Sequence, residues 1–356
     1  MKLLIMCSML LSLFSTFCSL INQNSYSWAV IGAGPAGIIS VSVLIDNGVI
    51  PKNIIWIDPK FKVGRMGKYY GNVPSNLKAS RYNSFLQSCN LFEKIQSASI
   101  ERVKCFDQQQ EPLLQLIIDP LQDITAYLMS QVTTYCGNVQ KIVQKNNLWA
   151  LNVTNDTINA QKLILAIGAY PKTLTYKNMQ EISLDMALDK KKLKSLVTAN
   201  DNVIVIGSAH SALLIVKYLS EIGVKKILNI YSKAPKYGMY GGLEGITAYW
   251  TKEILEKKLV ANLTRVLFSE NIIEKYQNHY NKIIYAFGYQ RNSLIINESN
   301  EINFDSVSGK ILPNLYGIGI AFPEKFITSE GETVNLIGVN SFMSYAKKLV
   351  PLWIKE

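Results

Sequence analysis

An apolar run, Trp28-Ala29-Val30-Ile31, breaks into Gly32-Ala33-Gly34-Pro35-Ala36-Gly37, and a second apolar run, Ile54-Ile55-Trp56-Ile57, ends in Asp58. Residue types in this order can hold the pyrophosphate of a dinucleotide. Gly32 permits the tight turn out of a strand, and Gly34 removes the Cβ that would keep the backbone from the phosphates. Gly37 lets the following helix pack closely on the strand. The turn Gly32, Ala33, Gly34, Pro35, Ala36 and Gly37 is therefore expected to bind a cofactor. The helix N-terminus supplies free N–H groups and a positive dipole end, and Asp58 accepts hydrogen bonds from a ribose.

The arrangement recurs further along the chain. Asn202-Val203-Ile204-Val205-Ile206 runs into Gly207-Ser208-Ala209-His210-Ser211-Ala212, a helical stretch ends at Gly223, and a strand follows over 226–231. Two copies imply two nucleotide sites. The second copy is altered: Ala212 is an ordinary variant of the last glycine, but Ala209 puts a methyl group where the pyrophosphate wants bare backbone. His210 and Ser211 open the second helix, with His210 facing the phosphate position. A helix N-terminus disfavours imidazolium, so His210 reads as a neutral hydrogen-bond donor.

These motifs demand an α/β fold built on two Rossmann-like units. Between them the sequence predicts a helix over 120–136 and a small antiparallel meander with strands over 139–143, 148–153 and 162–166. An amphipathic helix over 184–196 carries Lys190-Lys191-Lys192 and Lys194 on its solvated face. Strands ending at Gly168 and Gly288, a stretch Leu315-Tyr316-Gly317-Ile318-Gly319-Ile320-Ala321, and a closing helix over 340–353 complete the chain. The expected organisation is an N-terminal leader or anchor over 1–25, a first domain over 26–175, an inserted second domain over 176–281 and a return to the first over 282–356.

Composition bounds the partners. Hydrophobic residues make up 48% and charged residues 18% of 356 residues, which suits a globular protein. The net charge of +11 suits anionic partners, but no nucleic-acid module is present. Cys89, Cys105 and Cys136 form no close pair, and His210 and His279 are the only histidines, so no metal site is expected. An apolar stretch over 3–21 after Lys2 matches an export leader or a membrane anchor, with a buried structural segment as the alternative; otherwise the protein is cytoplasmic. The four N-x-S/T sites, at Asn152, Asn155, Asn262 and Asn297, are read as chance matches.

Two nested units with strand–glycine junctions at Gly168 and Gly288 resemble the flavoproteins with two dinucleotide-binding domains. That resemblance covers about 27–353 and implies FAD on the first unit and NAD(P)H on the second. Tyr285-Ala286-Phe287-Gly288-Tyr289 and the stretch from Gly67 to Asn76 are similar to flavin-containing and N-hydroxylating monooxygenases. It implies a flavin site using Gly168, Gly288, Gly319 and Ile320, with Asn76 as the catalytic hydrogen-bond donor beside Ser75. The helix after Gly338 would aim its N–H groups at the flavin pyrimidine edge. In the second unit the strand ends at Tyr231-Ser232-Lys233 with no acid for a ribose diol; Ser232, Lys233 and Lys236 can take a 2′-phosphate, so NADPH is favoured over NADH.

Three departures qualify the resemblance. The redox cysteine pair of the disulfide reductases is absent, Ile320 stands where their G-D motif has its Asp, and the F-x-G-x-x-x-H fingerprint of the monooxygenases is missing. The expected function is hydride transfer from NADPH to FAD and on to oxygen or another acceptor, with a small-molecule substrate. Two alternatives remain: a membrane-associated NAD(P)H:quinone oxidoreductase, and a flavin-bound sensor without turnover.

Overall fold

The computed structural model describes residues 25–356 except 155, 175–178 and 239–241. The expected leader lies outside the described residues. Among those described, no helix is long and apolar enough to cross a membrane.

Strand β1 (Tyr26–Ile31) is central to the first sheet. It pairs in parallel with β2 (Ile54–Ile57), and β2 pairs in parallel with β3 (Thr133–Tyr135). On its other side lies β6 (Asp156–Leu165). The alternation in β1 sends Trp28 and Val30 to one core and Ala29 and Ile31 to another, so the strand is buried on both faces. The first of these cores is closed by the helices Pro35–Asp46, Gln115–Gln131 and Val339–Lys355. Trp353 of the last helix stacks on Tyr316 at 4.5 Å between ring centres.

The meander is present as β4 (Val139–Lys145), β5 (Leu148–Val153) and β6, all antiparallel neighbours. Its third strand is longer than the sequence predicts. Residues Asp156–Ala160 of β6 pair with β5, whereas Leu163–Leu165 pair with β16 (Leu315–Gly317). One strand thus serves both the meander and the parallel sheet. The short strands β14 (Ile295–Ile296) and β15 (Lys310–Leu312) extend its margins.

Two helix expectations are corrected. The helix placed over 120–136 runs from Gln115 to Gln131 and contains Pro120, and the β-branched Thr133-Thr134 leave it to form β3. The helix over 184–196 is split into Leu184–Ala187 and Lys190–Leu196. Asp189 lies between them and accepts hydrogen bonds from the Lys191 and Lys192 amides, starting a new helix.

The second sheet runs β11 (Leu263–Leu267), β10 (Lys226–Tyr231), β9 (Asn202–Ile206), β12 (Lys282–Tyr285) and β8 (Gln180–Glu181), all parallel. Strand β12 therefore belongs to this sheet, past the boundary at 281 expected from the sequence. The helix His210–Ile222 ends at Gly223, whose φ of 83° closes it.

The chain crosses between the sheets twice. Both crossings meet in an antiparallel ribbon of β7 (Ala169–Pro171) and β13 (Tyr289–Arg291). Gly168 and Gly288 stand at its two entrances with φ of 71° and 112°. Each carbonyl accepts from the opposite strand, Gly168 from the Asn292 amide and Gly288 from the Lys172 amide. A hairpin absent from the sequence reading, β17 (Glu324–Ile327) and β18 (Thr333–Leu336), projects beside the ribbon.

Candidate functional site

The first glycine turn is held from beneath. Trp56 Nε1 donates to the Gly32 carbonyl at 2.9 Å, and Asp58 Oδ2 accepts from the Ala33 amide at 2.8 Å. Asp58 Oδ1 accepts from the Lys60 and Phe61 amides, both at 2.8 Å. Three of the roughly four acceptor positions of this carboxylate are thus taken by backbone, leaving about one for a ribose hydroxyl. Asp58 is a clamp on the turn first and a ribose acceptor second.

The three motif glycines differ in what surrounds them. A Cβ at Gly37 would lie 1.8 Å from the Gly32 carbonyl oxygen, and one at Gly32 would lie 2.3 Å from the Ala166 oxygen. A Cβ at Gly34 would meet nothing within 4 Å. Gly34 therefore faces open space at the start of the Pro35–Asp46 helix, whose N-terminus has no side-chain cap and no acid in its first turn. Two other backbones converge there. A Cβ on Gly64 would come within 3.1 Å of the Gly34 Cα, and one on Gly319 within 2.6 Å of the Ala36 Cβ. Ile320 follows, half-buried against the first core. Asn340, second residue of the closing helix, has a buried Nδ2 without a partner among the described residues. A cradle kept free of Cβ atoms, an uncapped helix end and an orphaned donor fit the phosphates and ring edge of a dinucleotide.

The second turn repeats this construction with different residues. Asn229 on β10 is fully buried, and its Nδ2 donates to the Gly207 carbonyl at 2.9 Å. Asn229 pairs with Val205, two residues before Gly207, just as Trp56 pairs with Val30, two before Gly32. Ala212 packs beneath Gly207, where an added Cβ would come within 2.9 Å of its methyl. Ala209 has an extended backbone like that of Gly34 and its methyl group is exposed at the helix start.

His210 is largely buried, and burial pushes its pKa down to about 4, so the ring is neutral. Its Nε2 lies 3.4 Å from Thr247 Oγ1, while Nδ1 is buried without a partner among the described residues. Ser211 follows, half-buried, and Ser208 Oγ lies 3.5 Å from Ser232 Oγ.

Arg265 on β11 is a residue the sequence reading missed. Its Nε donates to Asn229 Oδ1, its guanidinium lies 4.3 Å over the Tyr231 ring, and its buried Nη2 has no partner among the described residues. A lone Arg within the strand Leu263–Leu267 was the only signal. The expected phosphate lysines are already engaged: Lys236 contacts Glu330 and Glu332 at 2.9 and 2.8 Å, and Lys233 approaches Glu332 at 3.6 Å.

The loop after β2 spans the two halves. Arg65 forms an ion pair with Asp185, whose other oxygen accepts from Tyr70 Oη at 2.6 Å, and Tyr289 Oη lies 3.3 Å from Tyr70. Burial, then the neighbouring Tyr289 and Asp185, push the Tyr70 phenol well above its ordinary range. Ser75 is buried and bonded to Tyr82 at 2.6 Å, so it holds the loop, whereas Asn76 beside it is exposed.

The sequence profile of the pyridine nucleotide-disulphide oxidoreductases matches residues 26–299. The chain belongs to that family. Among curated proteins, a monooxygenase, AgnR1 of Paecilomyces divaricatus, is 25% identical over 384 residues, covering 91% of this chain and 97% of that protein. Among solved structures, the FAD-bound cadaverine monooxygenase DfoA of Erwinia amylovora aligns with a TM-score of 0.66 at 12% identity, over 94% of this chain and 95% of its own. The bacillithiol disulfide reductase Bdr of Staphylococcus aureus aligns at 0.61 and 12%, over 94% and 99%. This member of the pyridine nucleotide-disulphide oxidoreductases is thus a flavin monooxygenase-like oxidoreductase, with FAD and a nicotinamide nucleotide as the family's cofactors. Cys89, buried, and Cys105, exposed, stand sixteen residues apart in the sequence and neither is in a disulfide.

Proposed function

We propose that the first glycine cradle holds FAD, that the second holds NADPH, and that electrons pass from the nucleotide through the flavin to oxygen. One observation carries the reading: two cradles of matched construction, each braced from its second strand by Trp56 or Asn229 and joined by the β7–β13 ribbon. In this reading the second unit continues through Gly288, because β12 pairs within its sheet. The wide spacing of Cys89, Cys105 and Cys136 in the sequence, with no close redox pair, favours an electron acceptor other than a protein disulfide.

FAD, when bound, supplies hydride acceptance and onward electron transfer. The chain's own residues do the rest. The Pro35–Asp46 helix and the Gly34 backbone bind phosphate oxygens, while Asn340 Nδ2 and the amides opening the closing helix would meet the flavin pyrimidine edge. Neutral His210 donates a hydrogen bond at the second helix start without adding charge. Arg265, with Ser208 and Ser232, forms the basis for choosing NADPH; Lys233 and Lys236 must first leave Glu330 and Glu332. Asn76 is the exposed donor proposed to act near the reacting edge.

Anaerobic stopped-flow of the FAD-loaded protein with NADPH tests this. Bleaching of the flavin followed by rapid reoxidation in air is expected. No bleaching overturns turnover; bleaching with reoxidation by quinone alone overturns the choice of oxygen. A leader or anchor over 1–25 is proposed from the sequence alone, and is checked by N-terminal sequencing of protein from membrane and soluble fractions.

A further inference from the structure

A cavity of about 380 Å³ opens between the β7–β13 ribbon and the β17–β18 hairpin. Its floor is Ile320-Ala321, immediately after Gly319, the residue that abuts Ala36 at the flavin helix. Tyr289 and Arg291 are two apart on β13 and line it from one side. Lys325 and Asn335, cross-strand partners in the hairpin, line it from the other.

Arg291 is the unusual group. Its Nε donates to the Ala321 carbonyl at 3.0 Å and its Nη1 to the Ile302 carbonyl at 3.3 Å, while the guanidinium lies 4.2 Å over the Phe322 ring. Those bonds use two of about five N–H donors. Among the described residues no carboxylate pairs with it, and burial pushes its pKa down. A half-buried cation met by two neutral carbonyls and a ring face, without an anion, is under-compensated, and such charges are ordinarily paired. The cavity lining adds a second cation, Lys325, and contains no Asp or Glu. The only acid adjacent to Lys325 in sequence, Glu324, is taken by Lys348 at 3.1 Å.

We propose that this cavity binds the carboxylate of a small organic acid, held by the free edge of Arg291 and by Lys325. The planar fork of a guanidinium suits a carboxylate bidentately, the apolar wall of Ile320 and Phe304 suits its hydrocarbon part, and the volume suits a small molecule. Its role as the substrate of the flavin site rests on the function proposed above; the binding itself does not.

Calorimetric titration of the FAD-loaded protein with benzoate, benzamide and inorganic phosphate tests the proposal without needing turnover. Benzoate is expected to bind and benzamide to bind at least about tenfold more weakly. Arg291→Gln should weaken benzoate by about tenfold to a hundredfold with FAD content unchanged. Lys325→Gln, at an exposed position safe for folding, should weaken benzoate several-fold and reduce its salt dependence. Failure of benzoate to bind, equal binding of benzamide, stronger binding of phosphate, or indifference to Lys325→Gln each overturns it. Loss of FAD from folded Arg291→Gln protein would reassign the arginine to the cofactor and overturn it as well. Benzoate binding by a protein whose flavin NADPH never bleaches would sink the proposed function and leave the acid site standing.

Discussion

Two alanine substitutions three residues apart should have opposite consequences. In Gly34→Ala the new methyl meets no protein atom within 4 Å, and the φ of −76° is ordinary for alanine. The apoprotein should be as stable as wild type, or more so by about 0.4–1 kcal/mol through the smaller entropy of the unfolded chain. FAD affinity should nonetheless fall, because the methyl occupies the approach of the pyrophosphate. Losing one charge-assisted backbone contact removes about 1.5–3 kcal/mol, or about tenfold to a hundredfold in affinity. In Gly37→Ala the methyl would lie 1.8 Å from a backbone oxygen and 2.8 Å from its carbon. Backbone cannot rotate away as a side chain can, so the fold should lose about 3 kcal/mol, less about 1 kcal/mol of helix propensity gained. Denaturant titration of apoprotein and the flavin-to-protein absorbance ratio read the two effects separately. Unchanged FAD affinity in Gly34→Ala, or equal destabilisation by both, would refute the assignment of Gly34 to the phosphate approach.

Other expectations follow from the same geometry. Trp56→Phe strips the Gly32 carbonyl of its indole donor and should cost about 1–3 kcal/mol, with FAD released at lower urea than wild type; equal FAD retention would count against the brace. Ala209→Gly should tighten NADPH binding, read as a lower KM with kcat little changed, and an unaltered KM would clear the methyl of blame. His210 is held neutral in the fold with a pKa of about 4 against 6.5. Between those values the unfolded chain binds more protons, so stability should fall as pH drops through that window, by up to about 3 kcal/mol. His210→Gln should flatten that part of the pH–stability curve; an unchanged slope would assign it to other groups. Glu332→Gln frees Lys233 and leaves Lys236 held by Glu330 alone, and should favour NADPH over NADH more strongly at low salt, with the ratio of the two KM values as the measure.

Much of the frame was legible locally. Glycines at 32, 34 and 37, the copy at 207–212 and helix ends such as Gly223 declare themselves because steric and dipole constraints act within a few residues. Helix 210–222 and strand 226–231 appear as expected for that reason. Misreadings fell where a distant partner decides. Residues 156–165 form one strand because β5 and β16 both need a neighbour there, and Asp189, whose other oxygen accepts from Asn72 Nδ2 at 3.0 Å, divides a helix that periodicity alone would continue.

The site shows the same division. Asp58 was identified as an acid in the right place, yet its carboxylate is taken by the Lys60 and Phe61 amides of its own loop and by the Ala33 amide of the turn twenty-five residues earlier. The roles of Trp56 and Asn229 had no local signature, since an apolar or polar residue within a strand reads the same whatever it faces, and Arg265 showed only as a lone cation within a strand. Lys233 and Lys236 were legible as cations, but not the hairpin acids nearly a hundred residues away that hold them.

By itself, then, the sequence determined the paired nucleotide units, the absence of a close cysteine pair and the altered second turn, because each is a property of short segments. Only the tertiary structure decided which backbone is bare toward open space, which carbonyls are braced, and that Arg291 faces a cavity without a counter-ion among the described residues. Those outcomes depend on desolvation and close approach between segments far apart in the chain, and no local spacing encodes them.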